Sequence, residues 1–178
     1  MELAKKKYQS PPRTGMEVFL MLPEGTLAEL INDAIYISPM PNYKHQDLCT
    51  ELTVQIRSYA KEKNLGNCLM RIDVFFDDKN VLEPDIIFIS NESMGIIKEG
   101  KIKGSPDVAI EILSPGNKKH DTERKRVIYE KFGVKEYFIV DPENKETITW
   151  YLTNKKYIKQ RSQKGKIKST LLKKAFSF

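Results

Sequence analysis

Two carboxylates stand where buried strand is expected. Asp85 opens the run DIIFIS and Glu111 sits inside DVAIEIL, each flanked by apolar, β-branched residues. A buried carboxylate is costly unless it is paired or binds a cation. Two of them on neighbouring strands could converge on one divalent ion, which would cancel their mutual repulsion. Each residue also has a plain structural reading. Asp85 follows Pro84 and can cap a turn, and Glu111 can pair with a buried Arg or Lys. Asp107, in a second Pro-Asp dipeptide, shares a strand face with Glu111 but lies about 13 Å from it at ~3.3 Å per residue, too far for one ion. Asp85 is therefore the better partner.

Downstream, Asp121, Lys125 and Tyr129 follow at i, i+4 and i+8, one stripe of a helix. The stripe is either an exposed Asp–Lys pair or a face turned toward the two carboxylates. In the second case the Lys125 ammonium could stabilise developing charge or orient a water. Lys118, Lys119, Arg124, Arg126 and Lys131 surround it as a basic surface suited to phosphates. The chain as a whole has 30 Lys+Arg against 24 Asp+Glu, a net charge of +6. That balance fits either a lysine-rich soluble surface or a polyanion partner.

Other chemistry is poorly supported. The two cysteines, Cys49 and Cys68, have no CxxC spacing, so a zinc ribbon and a disulfide scaffold are excluded. Both are expected to be buried thiols in a reducing cytoplasm. With only His45 and His120, a metal here would sit on carboxylates and be hard, Mg²⁺ or Mn²⁺. GIIKEGKI over residues 95–102 imitates a phosphate loop but lacks the closing Ser/Thr, and Glu99 would repel phosphate. Ser114, between Leu113 and Pro115, reads as a turn residue because no histidine stands at triad spacing.

The elements that must position these residues follow from pattern and punctuation. A length of 178 residues suits one domain that needs no staple to fold. Residues 1–13 read as a flexible basic arm without the apolar stretch of a secretory signal, 14–160 as a single domain, and 161–178 as a basic extension packing on it as an edge strand. No apolar run is long enough to cross a membrane. Met16–Leu22 is a short helix or turn, and LAELI and AIYIS surround Asn32-Asp33 as a hairpin. Leu48, Leu52, Ile56 and Tyr59 predict an amphipathic helix over 43–63, capped by Asn42 and ended by Asn64 and Gly66. Strands are expected at Cys68–Phe76, Asp85–Ile89 and Asp107–Leu113, with 90–105 a polar connection. A helix at His120–Phe132, a strand at Glu136–Val140 and a hairpin of 147–152 and 156–160 around Thr153-Asn154 complete the chain. The result is an α/β (α+β) domain with a mixed sheet in the order α-βββ-α-β, plus N-terminal and C-terminal hairpins.

NVLEPDIIFIS, then GSPDVAIEILSPGNKKHDTERKRVIYEKFGVKEYFIVDP, resembles the Uma-two family of restriction-endonuclease-like proteins, within the PD-(D/E)XK nuclease superfamily. The similarity runs from about Phe19 to Asp141 and takes in LAELINDAIYISPMPNYKHQDL. It implies a restriction-endonuclease-like core. Asp85 and Glu111 would be metal ligands, with the Ile112 carbonyl completing the site. Where the superfamily motif has lysine two residues after the acid, this chain has Leu113, and the helix residue Lys125 occupies the place that takes over in this family. Asp121 and Tyr129 match helix positions of the same pattern, and Glu29 and His45 fall at family-like positions in the hairpin and the long helix.

Three functions follow as expectations. The first is a Mg²⁺- or Mn²⁺-dependent DNA endonuclease, with Lys118, Lys119 and Arg124 on the nucleic acid. The second is a nucleic-acid-binding module on a nuclease fold without turnover, kept open by Leu113. The third is protein interaction through apolar surface at Tyr151, Tyr157, Ile158, Leu171 and Leu172, which could form a homodimer.

Overall fold

The computed structural model describes residue 11, residues 14–114 and residues 120–178, the last without the side chains at 120–122. The N-terminal arm, Lys118, Lys119 and the Asp121 side chain thus lie outside the described residues.

Helix α1 (Gly15–Leu20) opens with a capping box, in which the Thr14 hydroxyl accepts from Glu17 N and the Glu17 carboxylate accepts from Thr14 N. Strands β1 (Ala28–Ile31) and β2 (Ala34–Ile37) follow as the expected hairpin. Its turn residues Asn32 and Asp33 have φ of 49° and 68°, the left-handed pair that a two-residue hairpin turn demands. Helix α2 (Tyr43–Glu62) is capped by the Asn42 side chain, which accepts from His45 N at 3.0 Å. It closes with Asn64 left-handed and Leu65 N–H donating back to the Ala60 carbonyl.

The expected strand over 68–76 divides. The chain forms β3 (Gly66–Met70), breaks at residues 71–73, and resumes as β4 (Val74–Asp77). The two halves belong to different sheets. After β5 (Asn80–Leu82) comes β6 (Ile86–Ser90). The stretch expected as a plain connection holds a 3-10 segment (Asn91–Ile96) and a tight hairpin of β7 (Ile97–Lys98) and β8 (Lys101–Lys103). The phosphate-loop imitation is thus a β-turn through Glu99 and Gly100, with no helix after it.

Strand β9 (Val108–Ile112) leads through helix α3 (His120–Phe132) to β10 (Glu136–Val140), paired parallel to β9. Both strands are buried along their whole length, which is why they read as continuous apolar runs. Then β11 (Glu146–Thr153) and β12 (Lys156–Lys159) form the C-terminal hairpin. Its turn falls one residue later than expected, at Asn154-Lys155, both left-handed. Strand β13 (Gln163–Lys164) adds to β11, and β14 (Lys166–Ser169) pairs with β15 (Lys174–Ser177). The tail is thus a hairpin of its own rather than a single edge strand.

Two mixed sheets result. One runs β2-β1-β5-β4-β8-β7 and the other β12-β11-β10-β9-β6-β3, with β13 on β11. The second sheet carries the order α2, β3, β6, β9, α3, β10, the α-βββ-α-β core. One face packs Ile86, Phe88, Ile110 and Phe138 against Leu48, Leu52 and Ile56 of α2 and Ile167 and Phe176 of the tail. The other packs Ala109, Tyr137 and Ile139 against Ile128 and Tyr129 of α3. Each such buried side chain contributes roughly 1.5–3 kcal/mol. Of the residues expected to form an apolar interaction surface, Leu172 is buried, and Tyr151, Tyr157 and Leu171 pack against these cores. Only Ile158 stands exposed, because Tyr151, Leu171 and Leu172 pack with Ile167 and Phe176 of the β14–β15 hairpin and Tyr157 packs on the α3 side. Among the described residues no helix is long and apolar enough to cross a membrane.

The tail is latched by one buried acid. Glu136 accepts from Ser169 Oγ, from Thr170 N and Oγ1, and from Leu171 N. Glu136→Ala leaves those donors unpaired, so a loss of about 2 kcal/mol or more is expected in a urea melt. Hydrogen exchange should accelerate at 166–177 before it does in β9.

Candidate active site

Register builds the site. Strands β6 and β9 are antiparallel with Ile86 opposite Ile110, so one step further sets Asp85 opposite Glu111 on the same face. The Ile112 N–H donates to Asp85 Oδ2 at 2.8 Å and fixes that carboxylate across the strand ends. The first turn of α2 then brings in His45, whose Nε2 lies 3.1 Å from the same oxygen. His45 is buried, and its Nδ1 has no hydrogen-bond partner among the described residues. The tautomer with the proton on Nε2 therefore suits it, donating to Asp85. Cys49 is one helical turn further along, with Sγ 3.7 Å from the Asp85 carbonyl oxygen. Burial pushes its thiol up to about 12, so it stays protonated and inert.

A second cluster meets Glu111 from above the sheet. The Lys125 Nζ of α3 lies 3.1 Å from Glu111 Oε2 and 2.9 Å from Glu29 Oε1. The Tyr129 hydroxyl donates to Glu111 Oε1 at 2.7 Å. Glu29 arrives on β1 from the other sheet and also accepts from Glu83 N at 2.9 Å. Glu29, Glu111 and Lys125 are 5%, 7% and 7% exposed, so this is a buried ion triad. Burial pushes the Glu111 carboxyl up to about 8. The Lys125 ammonium opposes that rise, Asp85 and Glu29 add to it, and the Tyr129 hydrogen bond opposes it. Burial and the Glu111 charge hold Tyr129 well above the ordinary phenol value, so it remains a donor.

Glu29, His45, Asp85, Glu111 and Lys125 line one cleft of about 130 Å³, together with Arg71, Glu83, Ile112, Leu113, Ser114 and the loop residues Ser38, Pro39 and Pro41. Its walls carry four carboxyl groups, Glu29, Glu83, Asp85 and Glu111, against two basic groups, Arg71 and Lys125. With all four ionised, which for Glu111 requires a pH above about 8 or a cation in place of its proton, the excess is two negative charges, which one divalent cation would balance. The donors are carboxylate oxygens, the chemistry that suits Mg²⁺ or Mn²⁺. Asp85 Oδ1 has no partner among the described residues and could accept a cation. Among the described residues no three of His, Cys, Asp and Glu stand as a ready-made cage. An ion here would fill its sphere with water and substrate oxygens, as Mg²⁺ commonly does.

The structure thus brings together Asp85, Glu111, Lys125, Tyr129, Glu29 and His45, and Ile112 lines the same cleft. Asp107 stands at the far end of β9, held by Lys135 Nζ at 2.6 Å, Ser90 N and Ser93 Oγ, in a purely structural setting. Of the basic residues expected on nucleic acid, Arg124 is exposed on α3 with its guanidinium 5.0 Å from the Tyr36 ring centroid. Arg126 pairs with Glu130, and Lys131 with Asp77. Sequence reasoning missed Arg71 and Glu83. Glu83 was visible beside Asp85 in the string EPD, but Arg71 was hidden inside what reads as an unbroken strand.

The comparisons place this arrangement. Residues 16–175 match the Uma2 family, described as "Putative restriction endonuclease". The chain belongs to that family. None of the curated proteins matches it. The Uma2 chain is similar in fold to a solved structure from Anabaena variabilis ATCC 29413, described as a "putative nuclease belonging to DUF820". The TM-score is 0.70 at 24% identity, over 85% of this chain and 83% of that one. A DrdV–DNA complex matches with TM-score 0.42 and 8% identity over 67% of this chain and 10% of that one, too distant for any argument.

The triad makes two measurable statements. Lys125→Met leaves two buried carboxylates without their counter-ion and is expected to cost about 3–5 kcal/mol near pH 9 and less near pH 5. In the unfolded chain Glu111 loses its proton at the ordinary glutamate value, whereas in the native state it holds it up to about 8. The native state therefore binds more protons between those values. The stability due to Glu111 is full below the ordinary value and falls as pH rises through about 8. Glu111→Gln should flatten that decline in denaturant melts across the same range.

Proposed function

We propose that this Uma2-family chain is a metal-dependent endonuclease of the PD-(D/E)XK type that hydrolyses phosphodiester bonds in DNA. The observation that carries the reading is the meeting of Asp85, Glu111 and Lys125 in one acidic cleft at the ends of β6 and β9. Asp85 and Glu111 would hold Mg²⁺ or Mn²⁺, with the Ile112 carbonyl as a third oxygen. When bound, a divalent cation lowers the pKa of a water and stabilises charge on phosphoryl oxygen.

The remaining work falls to the chain. His45 and the Ile112 N–H fix the Asp85 carboxylate, so that the oxygen they leave free points into the cleft. Tyr129 holds Glu111 from its far oxygen. Lys125 supplies the ammonium that the superfamily motif places on the strand. Here the strand position is Leu113, which packs among Tyr129 and Ile139 and cannot serve. The ammonium orients the attacking water and offsets charge that develops in the transition state. Arg124 of α3, with Lys118 and Lys119 just before that helix in the sequence, would offer phosphate contacts to the flanking nucleic acid. A cytoplasmic protein meeting DNA, as a monomer or a homodimer, fits this reading.

With supercoiled plasmid and Mg²⁺ or Mn²⁺, the wild-type chain is expected to nick. Asp85→Ala and Glu111→Ala should each lower the rate by at least about 100-fold, in line with the loss of a metal ligand. Full nicking by both variants would refute the mechanism. Salt-sensitive DNA retention with no turnover would instead favour a binding module on a nuclease fold. Calorimetric Mn²⁺ titration gives a separate check. The ion competes with the Glu111 proton, so affinity should strengthen as pH rises through about 8 and lose that dependence in Glu111→Gln.

A further inference from the structure

Arg71 has no part in the chemistry above, yet it lines the same cleft as Asp85, Glu111 and Lys125. It stands where the chain leaves one sheet for the other, with its backbone in the left-handed region at φ 47°. A non-glycine residue persists there only when its surroundings over-determine it. Two contacts do so. The Arg71 N–H donates to the Asp85 carbonyl at 3.1 Å, and Nε donates to Glu83 Oε1 at 3.2 Å. The Nη1 and Nη2 groups have no partner among the described residues, on a side chain 22% exposed. A guanidinium keeps its charge at any working pH, and its planar fork matches two phosphate oxygens. Lys125, clasped between two carboxylates, offers no such fork. Arg71 also borders a second, larger cleft of about 440 Å³ that shares Leu27 and Glu83 with the first. It therefore lines both.

We infer that Arg71 is the phosphate-holding residue of the cleft. Its terminal amino groups donate to the non-bridging oxygens of a phosphodiester seated beside Asp85 and Glu111. Glu83 is its positioning residue, fixing the fork through Nε. The inference takes the identity of its substrate from the nuclease reading.

The test is binding of a short fluorescent DNA duplex to the full chain in Ca²⁺, read by anisotropy over a salt series. Arg71→Ala is expected to weaken binding at least about tenfold and to lower the slope of log K against log salt by about one. Arg71→Lys occupies the same strained backbone, and should keep the slope and recover part of the affinity. A merely structural arginine would lower the melting temperature and leave the slope alone. An unchanged slope in Arg71→Ala, or no duplex binding by the wild type, overturns the inference. If the wild type binds with this slope dependence on Arg71 but never nicks in Mg²⁺ or Mn²⁺, the nuclease reading fails and the role of Arg71 stands. Should Arg71→Ala not fold, Glu83→Ala, which keeps no side-chain oxygen to accept from Arg71 Nε, carries the test. It frees the guanidinium from its support and is expected to weaken binding several-fold at an unchanged slope, and wild-type affinity in that variant overturns the inference.

Discussion

The ammonium of Lys125 is the one charge on which the two sheets and the crossover helix all close. It bridges Glu111 of the central sheet to Glu29 of the other sheet, from a helix that packs on both. Each partner alone would be a buried charge without compensation, the most expensive kind of defect in a protein interior. Replacing the whole triad by apolar side chains of the same volume would serve stability at least as well. Its retention therefore argues for a use other than stability. The nuclease reading supplies such a use in the cleft, which the same three residues line.

The geometry around the triad shows how much of the fold serves two carboxylates. Antiparallel pairing of β6 and β9 sets Asp85 opposite Glu111, and the parallel crossover through α3 lays Lys125 and Tyr129 over Glu111. The Asn42 cap starts α2 at the residue that places His45 on Asp85. The break at residues 71–73 sends the chain into the other sheet and leaves Arg71 lining the cleft. Four independent local decisions, a register, a crossover, a cap and a break, thus converge on a space of about 130 Å³.

What was legible in the sequence is what local chemistry encodes. The period of α2, the Asn-Asp turn and the unbroken apolar runs of β6, β9 and β10 all announce themselves within a few residues. The stripe of Lys125 and Tyr129 gave a shared helix face, which the structure turns onto Glu111. Non-local pairing was not legible. Nothing near Arg71 signals that the strand changes sheets there, because Cys68–Phe76 keeps strand-like composition throughout. The tail's apolar residues look like free surface until β14 and β15 pair and Glu136 clasps the loop between them. Glu29 reads as a hairpin acid, and its burial follows only from the contact between sheets.

The displacement of the ammonium from strand to helix has a physical logic. A lysine at position 113 would share the strand of Glu111 and point to the same face, so the two groups would be fixed relative to each other by the pleat alone. Leu113 instead fills the apolar layer beneath α3, and the ammonium comes from the helix side of that layer. Its position then depends on the packing of α3 and on Glu29, an acid from a different sheet. The arrangement couples the charge balance of the cleft to tertiary structure as a whole. A strand lysine would keep its place beside Glu111 in a loosened fold, whereas Lys125 reaches that carboxylate only when the helix and both sheets are assembled.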